Sequence, residues 1–172
     1  MKHLKYFKEN HIYNEYPELR ITSDYGIALI CDGYLETAIW TEEENVPNLE
    51  DKSIFDFSDD AIKQAKEEIK WFIKSSIDVA NAIFGDASYS SIGHDLWLSR
   101  NGHGAGFFDR NYDKESEEVL MELSHQLGEI YLEVDANDKI CFSGGSEKYK
   151  SFDVEKYKED IELKKASKKY NI

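Results

Sequence analysis

Cysteine is scarce in this chain, with two among 172 residues. Cys31 and Cys141 stand in separate segments with no Cys-x-x-Cys or Cys/His spacing, so they read as two buried thiols rather than a disulfide or a zinc pair. Long apolar runs are missing too: none approaches the roughly 20 residues that span a bilayer. The opening MKHLKYFKEN has no apolar h-region of a secretory signal. These absences lead us to expect a cytoplasmic protein. Positive charge is in short supply as well, 21 Lys and Arg against 35 Asp and Glu, for a net charge of −14. Phosphate binding needs clustered Lys and Arg, so the expectation is no direct contact with nucleic acid or with an anionic membrane. The acidic excess reads either as solubility or as a surface aimed at a basic partner.

What the chain does have is core material. Apolar residues make up 41% and aromatics 13%, enough to argue against general disorder despite 33% charged residues. The length fits one domain. Residues 1–23 mix charge with Tyr6, Phe7, Tyr13 and Tyr16 and read as an irregular arm. From Ser23-Asp24, Ile27, Ile30, Cys31, Tyr34, Leu35 and Ala38 recur at three- and four-residue spacing, the mark of an amphipathic helix capped by Ser23 or Asp24. Gly26 and Gly33 weaken it.

An acidic stretch follows. Residues 42–60 hold eight acids, Glu42, Glu43, Glu44, Glu50, Asp51, Asp56, Asp59 and Asp60, against Lys52 alone, and Pro47 and the asparagines mark a loop. Leu49, Ile54, Phe55 and Phe57 are interleaved, so parts of it dock. A long helix is expected over 58–84, with Ser58 as N-cap, Asp59 and Asp60 in the first turn, and Gly85 as stop. Its buried stripe is Ile62, Ala65, Ile69, Phe72, Ile73, Ser76, Ala80 and Ile83, and its lysines 63, 66, 70 and 74 face solvent. Beyond it the period changes to two. His94–Arg100 and His103–Arg110 read as a hairpin around Asn101-Gly102. A helix over 116–127 stops at Gly128, and Ile130–Val134 and Lys139–Phe142 form a second hairpin. The fold expected is α+β: two N-terminal helices plus a ββαββ unit forming a small antiparallel sheet, one domain over 1–145. Residues 146–172 form a charged helical tail with a thin apolar stripe of Tyr149, Phe152, Tyr157 and Ile161.

The segment Gly93-His94-Asp95-Leu96-Trp97-Leu98-Ser99-Arg100-Asn101-Gly102-His103-Gly104-Ala105-Gly106-Phe107-Phe108-Asp109-Arg110 resembles the signature of a family of small, uncharacterised phage and prophage proteins. Its members read GHDFWLTRNGHGAGFWDR, followed by a helix and a short acidic hairpin. This chain departs at Leu96, Ser99 and Phe108, all mild exchanges. The segment Leu35–Trp40, followed by an acidic loop, also looks like the family's N-terminal helix. The resemblance covers roughly residues 24–142. It implies a small accessory protein of a phage or other mobile element, acting in the host cytoplasm. Genes of that kind often encode inhibitors of host defence, of the anti-CRISPR or anti-restriction type.

As a hairpin, the motif pairs Arg100 with His103, Leu98 with Ala105, Leu96 with Phe107 and His94 with Asp109. Trp97 then lies over Gly106. His94 and His103 fall about 20 Å apart at 3.3 Å per residue, too far for one zinc whose ligands sit at about 2.0–2.3 Å. So His94, Asp95, His103 and Asp109 do not form a metal site. His94 beside Asp109 is also an acid–base pair, with Arg100 and Arg110 to hold an anionic substrate. The same pair serves equally as a cross-strand brace. The glycine run NGHGAG lacks the Gly-Lys-Ser/Thr ending of a phosphate loop. Trp97, Phe107 and Phe108 lack the basic surround of a base-stacking sheet. The acidic stretch offers closely spaced carboxylates, as a protein imitating DNA requires.

The sequence therefore leads to a non-catalytic, acidic, protein-binding accessory factor, without cofactor or metal. Its partner is a basic host protein such as a nucleic-acid-binding nuclease. The eight acids are its contact residues, and the motif residues His94, Asp95, Trp97, Arg100, His103, Asp109 and Arg110 are a second candidate site. A small enzyme working through His94 and Asp109, and a structural or regulatory phage protein, stand as alternatives.

Overall fold

The computed structural model describes residues 20–86 and 88–170, apart from the side chains of 79–86 and 168–170. Residues 1–19 of the expected arm lie outside it. Arg20 and Ile21 are helical rather than irregular, and Ile21 is buried. The first helix, α1, spans Asp24–Glu42, with the Ser23 hydroxyl accepting from the Gly26 amide as N-cap. Its predicted apolar residues are all buried. The second, α2, spans Asp59–Asp86, starts behind Ser58 as expected and runs one residue past Gly85. Ala65, Ile69, Phe72, Ile73 and Ser76 are buried, Ile62 is half-buried, and the Ala80 and Ile83 side chains lie outside the described set.

The predicted first hairpin is not a hairpin. Tyr89–Arg100 is a helix, α3, capped by the Ser88 hydroxyl. Gly102 takes a left-handed conformation (φ +67°), and the His103 amide donates to the Leu98 carbonyl. This is the Schellman stop of a helix. Asn-Gly announces a positive φ, and a helix stop uses that as readily as a two-residue turn. The cross-strand pairs expected for His94–Arg110 therefore do not exist. Residues Phe107–Asp109 form one 3-10 turn.

The cause of the misreading is burial. Ile92, Gly93 and Asp95 through Arg100 are all buried, so beyond its first turn this helix has too little solvent face to betray its period. Its closest neighbour is α1. A Cβ on Gly93 would lie 2.0 Å from the Ile30 carbonyl oxygen, and one on Gly33 would lie 2.3 Å from that of Ser90. The two glycines let the backbones touch, which is the return for their cost in helix propensity.

The remaining elements follow the sequence. Helix α4 spans Lys114–Gln126, with the Asp113 carboxylate accepting from the amides of Glu115 and Ser116. Strands β1 (Ile130–Val134) and β2 (Ile140–Gly144) pair antiparallel, Leu132 opposite Phe142 and Val134 opposite Ile140. The fold class is α+β. The sheet has two strands among the described residues, not four. On its inner face Ile130, Leu132 and Ile140 are buried, and the Phe142 ring meets Tyr34 edge-on and stacks on Trp97. The tail forms α5, Val154–Tyr170, whose buried Ile161 and whose Lys158–Asp78 ion pair at 2.8 Å join it to the body.

Candidate partner-binding cleft

The acidic stretch is docked at intervals, at Leu49, Lys52 and Phe57, with exposed residues between these points. Leu49 and Phe57 are buried. Phe57 makes a parallel bridge with Ile140, the Ser58 amide donates to the Ile140 carbonyl at 2.9 Å, and Lys52 pairs with Asp138 at 2.6 Å. Glu43, Glu44, Glu50, Asp51, Asp59 and Asp60 are exposed. The eight acids do not form one uniform array. Asp56 accepts from the Ser53 amide and hydroxyl, which holds its carboxyl below the usual range. Asp59 shares a surface groove with Lys63, Lys66 and Lys70.

Glu42, Glu43 and Glu44 sit at the C-terminus of α1, a last turn with no basic residue. A helix C-terminus carries about half a negative charge, so each carboxylate there costs roughly 0.3–1 kcal/mol. Two residues before Glu42 is Trp40, 65% exposed. At about 100° per residue it falls on the far side of α1 from Ile27, Tyr34 and Ala38.

The motif meets this end of α1. The His94 ring stacks on Trp40, with centroids 6.0 Å apart and planes 25° from parallel. The Thr37 hydroxyl gives its one hydrogen to the Gly33 carbonyl at 2.7 Å, so the 2.9 Å bond between Thr37 Oγ1 and His94 Nδ1 has the imidazole as donor. Nδ1 therefore carries a hydrogen. Trp97 Nε1 donates to Thr41 Oγ1 at 2.8 Å, and Thr41 donates to the Thr37 carbonyl at 3.0 Å. His103 Nε2 lies 3.5 Å from Glu42 Oε1. An open cleft of about 430 Å3 lies between the two segments, lined by Trp40, Thr41, Glu43, Glu44, Asn45, Leu98, His103 and Ala105. Two candidate sites read separately in the sequence thus share one cleft.

The other motif residues are placed elsewhere. Arg100, fully buried, donates Nη1 to Glu68 Oε2 at 2.6 Å and to the Tyr34 hydroxyl at 2.7 Å, and donates Nη2 to the Leu127 carbonyl at 2.9 Å. It also donates Nε to the Gly128 carbonyl. It joins four segments and does not face a substrate. Arg110 forks onto Asp95 at 2.6 and 2.8 Å, which raises its already high pKa. Asp109 accepts from the Gly106 amide. His94 bonds Thr37 and not Asp109, so the acid–base pair of the enzyme alternative is not assembled. The 20 Å argument against a metal rested on the hairpin and falls with it. Among the described residues no three His, Cys, Asp or Glu side chains cluster as metal ligands. Both cysteines are free, Cys31 buried, where burial pushes its thiol up to about 11, and Cys141 half-buried.

Sequence reasoning missed Trp40, Thr37, Thr41 and Glu68. The signal for Trp40 was present, an aromatic on the polar side of an amphipathic helix. Nothing local marks Glu68, whose burial depends on Arg100, 32 residues away. No helix of the described residues is long and apolar enough to cross a membrane. No protein-family model matches the chain, and neither a curated protein nor a solved structure shows significant similarity to it.

Proposed function

We propose that this chain is a non-catalytic accessory protein of a phage or mobile element, acting in the host cytoplasm by binding a basic host protein. The most fitting partner is a nucleic-acid-handling nuclease of a defence system, whose cationic groove the acidic surface occupies. The observation that carries this reading is the end of α1. There Glu43 and Glu44 stand exposed against the helix dipole, beside an exposed Trp40. The carboxylates cost the isolated chain stability, and both features favour a cationic partner. Complementary charge also speeds encounter and makes it salt-dependent.

The test is retention of host nucleases on the tagged chain across a salt series, with Glu43→Lys/Glu44→Lys and Glu50→Lys/Asp51→Lys as controls. Retention at low salt that either double reversal abolishes supports the reading. Retention indifferent to both reversals, or no nuclease retained at all, overturns it.

A further inference from the structure

Resting on that reading, we infer that the cleft between the end of α1 and the loop after α3 is an arginine receptor: it seats one arginine side chain of the partner, its guanidinium stacked on Trp40 and bonded to Glu43 and Glu44. Three observations converge. First, the cleft has a volume of about 430 Å3, inside the range of about 300–1,000 Å3 typical of small-ligand pockets. Its lining supplies acceptors and an aromatic wall but no Lys or Arg. Second, Trp40 is exposed yet held. His94 stacks on it, and His94 is fixed in turn by Thr37, whose hydroxyl is tied to the Gly33 carbonyl. An exposed aromatic fixed in this way loses little freedom on meeting a ligand. Third, the carboxylates at the helix C-terminus have no basic residue in the last turn to offset them. Among the described residues lining the cleft, His103, 3.5 Å from Glu42, is the one basic side chain.

Arginine fits better than lysine because its planar fork can stack on an indole and bond carboxylates at the same time, whereas an ammonium is a strongly hydrated point charge. The aromatic wall therefore distinguishes an arginine receptor from a merely acidic surface, which takes both cations alike.

The experiment is calorimetric titration of the full chain with hexa-arginine and hexa-lysine peptides at fixed ionic strength, repeated for Trp40→Ala, Trp40→Phe and Glu43→Gln/Glu44→Gln. The expected result is preference for hexa-arginine and a loss of about tenfold in its affinity in Trp40→Ala, the scale of one desolvated cation–π contact. Trp40→Phe restores part of that loss, and hexa-lysine binding changes less than twofold or so in either Trp40 variant. Thermal melts confirm that the variants are folded. Equal affinity for the two peptides, or hexa-arginine binding that Trp40→Ala leaves intact, overturns the receptor while leaving the acidic-surface reading standing. Absence of peptide binding together with retained, salt-sensitive capture of a nuclease likewise sinks the receptor alone. If nuclease capture is absent as well, both fall.

Discussion

Arg100 and Glu68 meet across 2.6 Å in the core, where the arginine side chain is 0% and the glutamate side chain 5% exposed. Two charges out of water are held by each other, by the Tyr34 hydroxyl and by the Leu127 and Gly128 carbonyls. Every described buried side-chain polar atom in the molecule has a partner. Removing one member leaves the other charge buried and unpaired, at a cost of about 3–5 kcal/mol. Arg100→Met and Glu68→Leu should each lose that much in urea denaturation. The double variant should recover part of it, because no orphan charge remains.

Alkaline pH should destabilise the protein by a calculable route. Burial pushes the Tyr34 phenol up to about 12 and the Cys31 thiol up to about 11. Their unfolded values are near 10 for tyrosine and about 8.5 for cysteine. Between those limits the folded chain holds protons that the unfolded chain has released, so stability falls as pH rises. It is fully present below the unfolded pKa of each group and lost through the folded one. Denaturation midpoints should drop from about pH 9 to about pH 12. Cys31→Ala should flatten the lower part of that fall and Tyr34→Phe the upper part.

The contact of α1 with α3 should not tolerate side chains at its two glycines. A Cβ at Gly93 meets the Ile30 carbonyl at 2.0 Å and the Tyr34 amide nitrogen at 2.6 Å, and both are backbone atoms that cannot swing aside. Gly93→Ala should cost about 3 kcal/mol or more, beyond the ordinary overpacking range. Gly102→Ala meets no atom within 4 Å and is strained only by its left-handed φ of +67°, so it should cost closer to about 1 kcal/mol. A melting series of the two variants orders them.

Charge reversal at the end of α1 should separate stability from binding. Glu43→Lys/Glu44→Lys should raise stability by roughly 0.3–1 kcal/mol per residue by complementing the helix dipole. The same variant should lose salt-sensitive binding of a basic partner. Trp40→Ala should leave stability within about 0.5 kcal/mol, as expected for an exposed side chain. A chain that melts lower after charge reversal would show that these carboxylates serve the fold.

Local chemistry made most of the elements legible from the sequence. Ser23, Ser58 and the apolar stripes behind them determined α1 and α2. The Asp135–Asp138 turn and the alternation of Ile130, Leu132 and Val134 determined the ribbon. These signals come from neighbours in the chain and from a boundary between core and solvent, so they can be read without knowing the rest of the molecule. Tertiary structure decided the segment from Tyr89 to Arg110. A helix buried almost all round beyond its first turn shows no solvent period, and His-Asp-Leu-Trp-Leu-Ser-Arg alternates by accident of composition. Its polar residues are tolerable there only because distant partners satisfy them: Asp95 by Arg110, and Arg100 by Glu68 and Tyr34. The same packing brought His94 onto Trp40 and His103 beside Glu42. The acidic excess was determined by the sequence. That Leu98, His103 and Ala105 close the cleft beside Trp40, Glu43 and Glu44 was decided only by folding, since a contact between segments so far apart in the chain is set by the whole core and by no local preference.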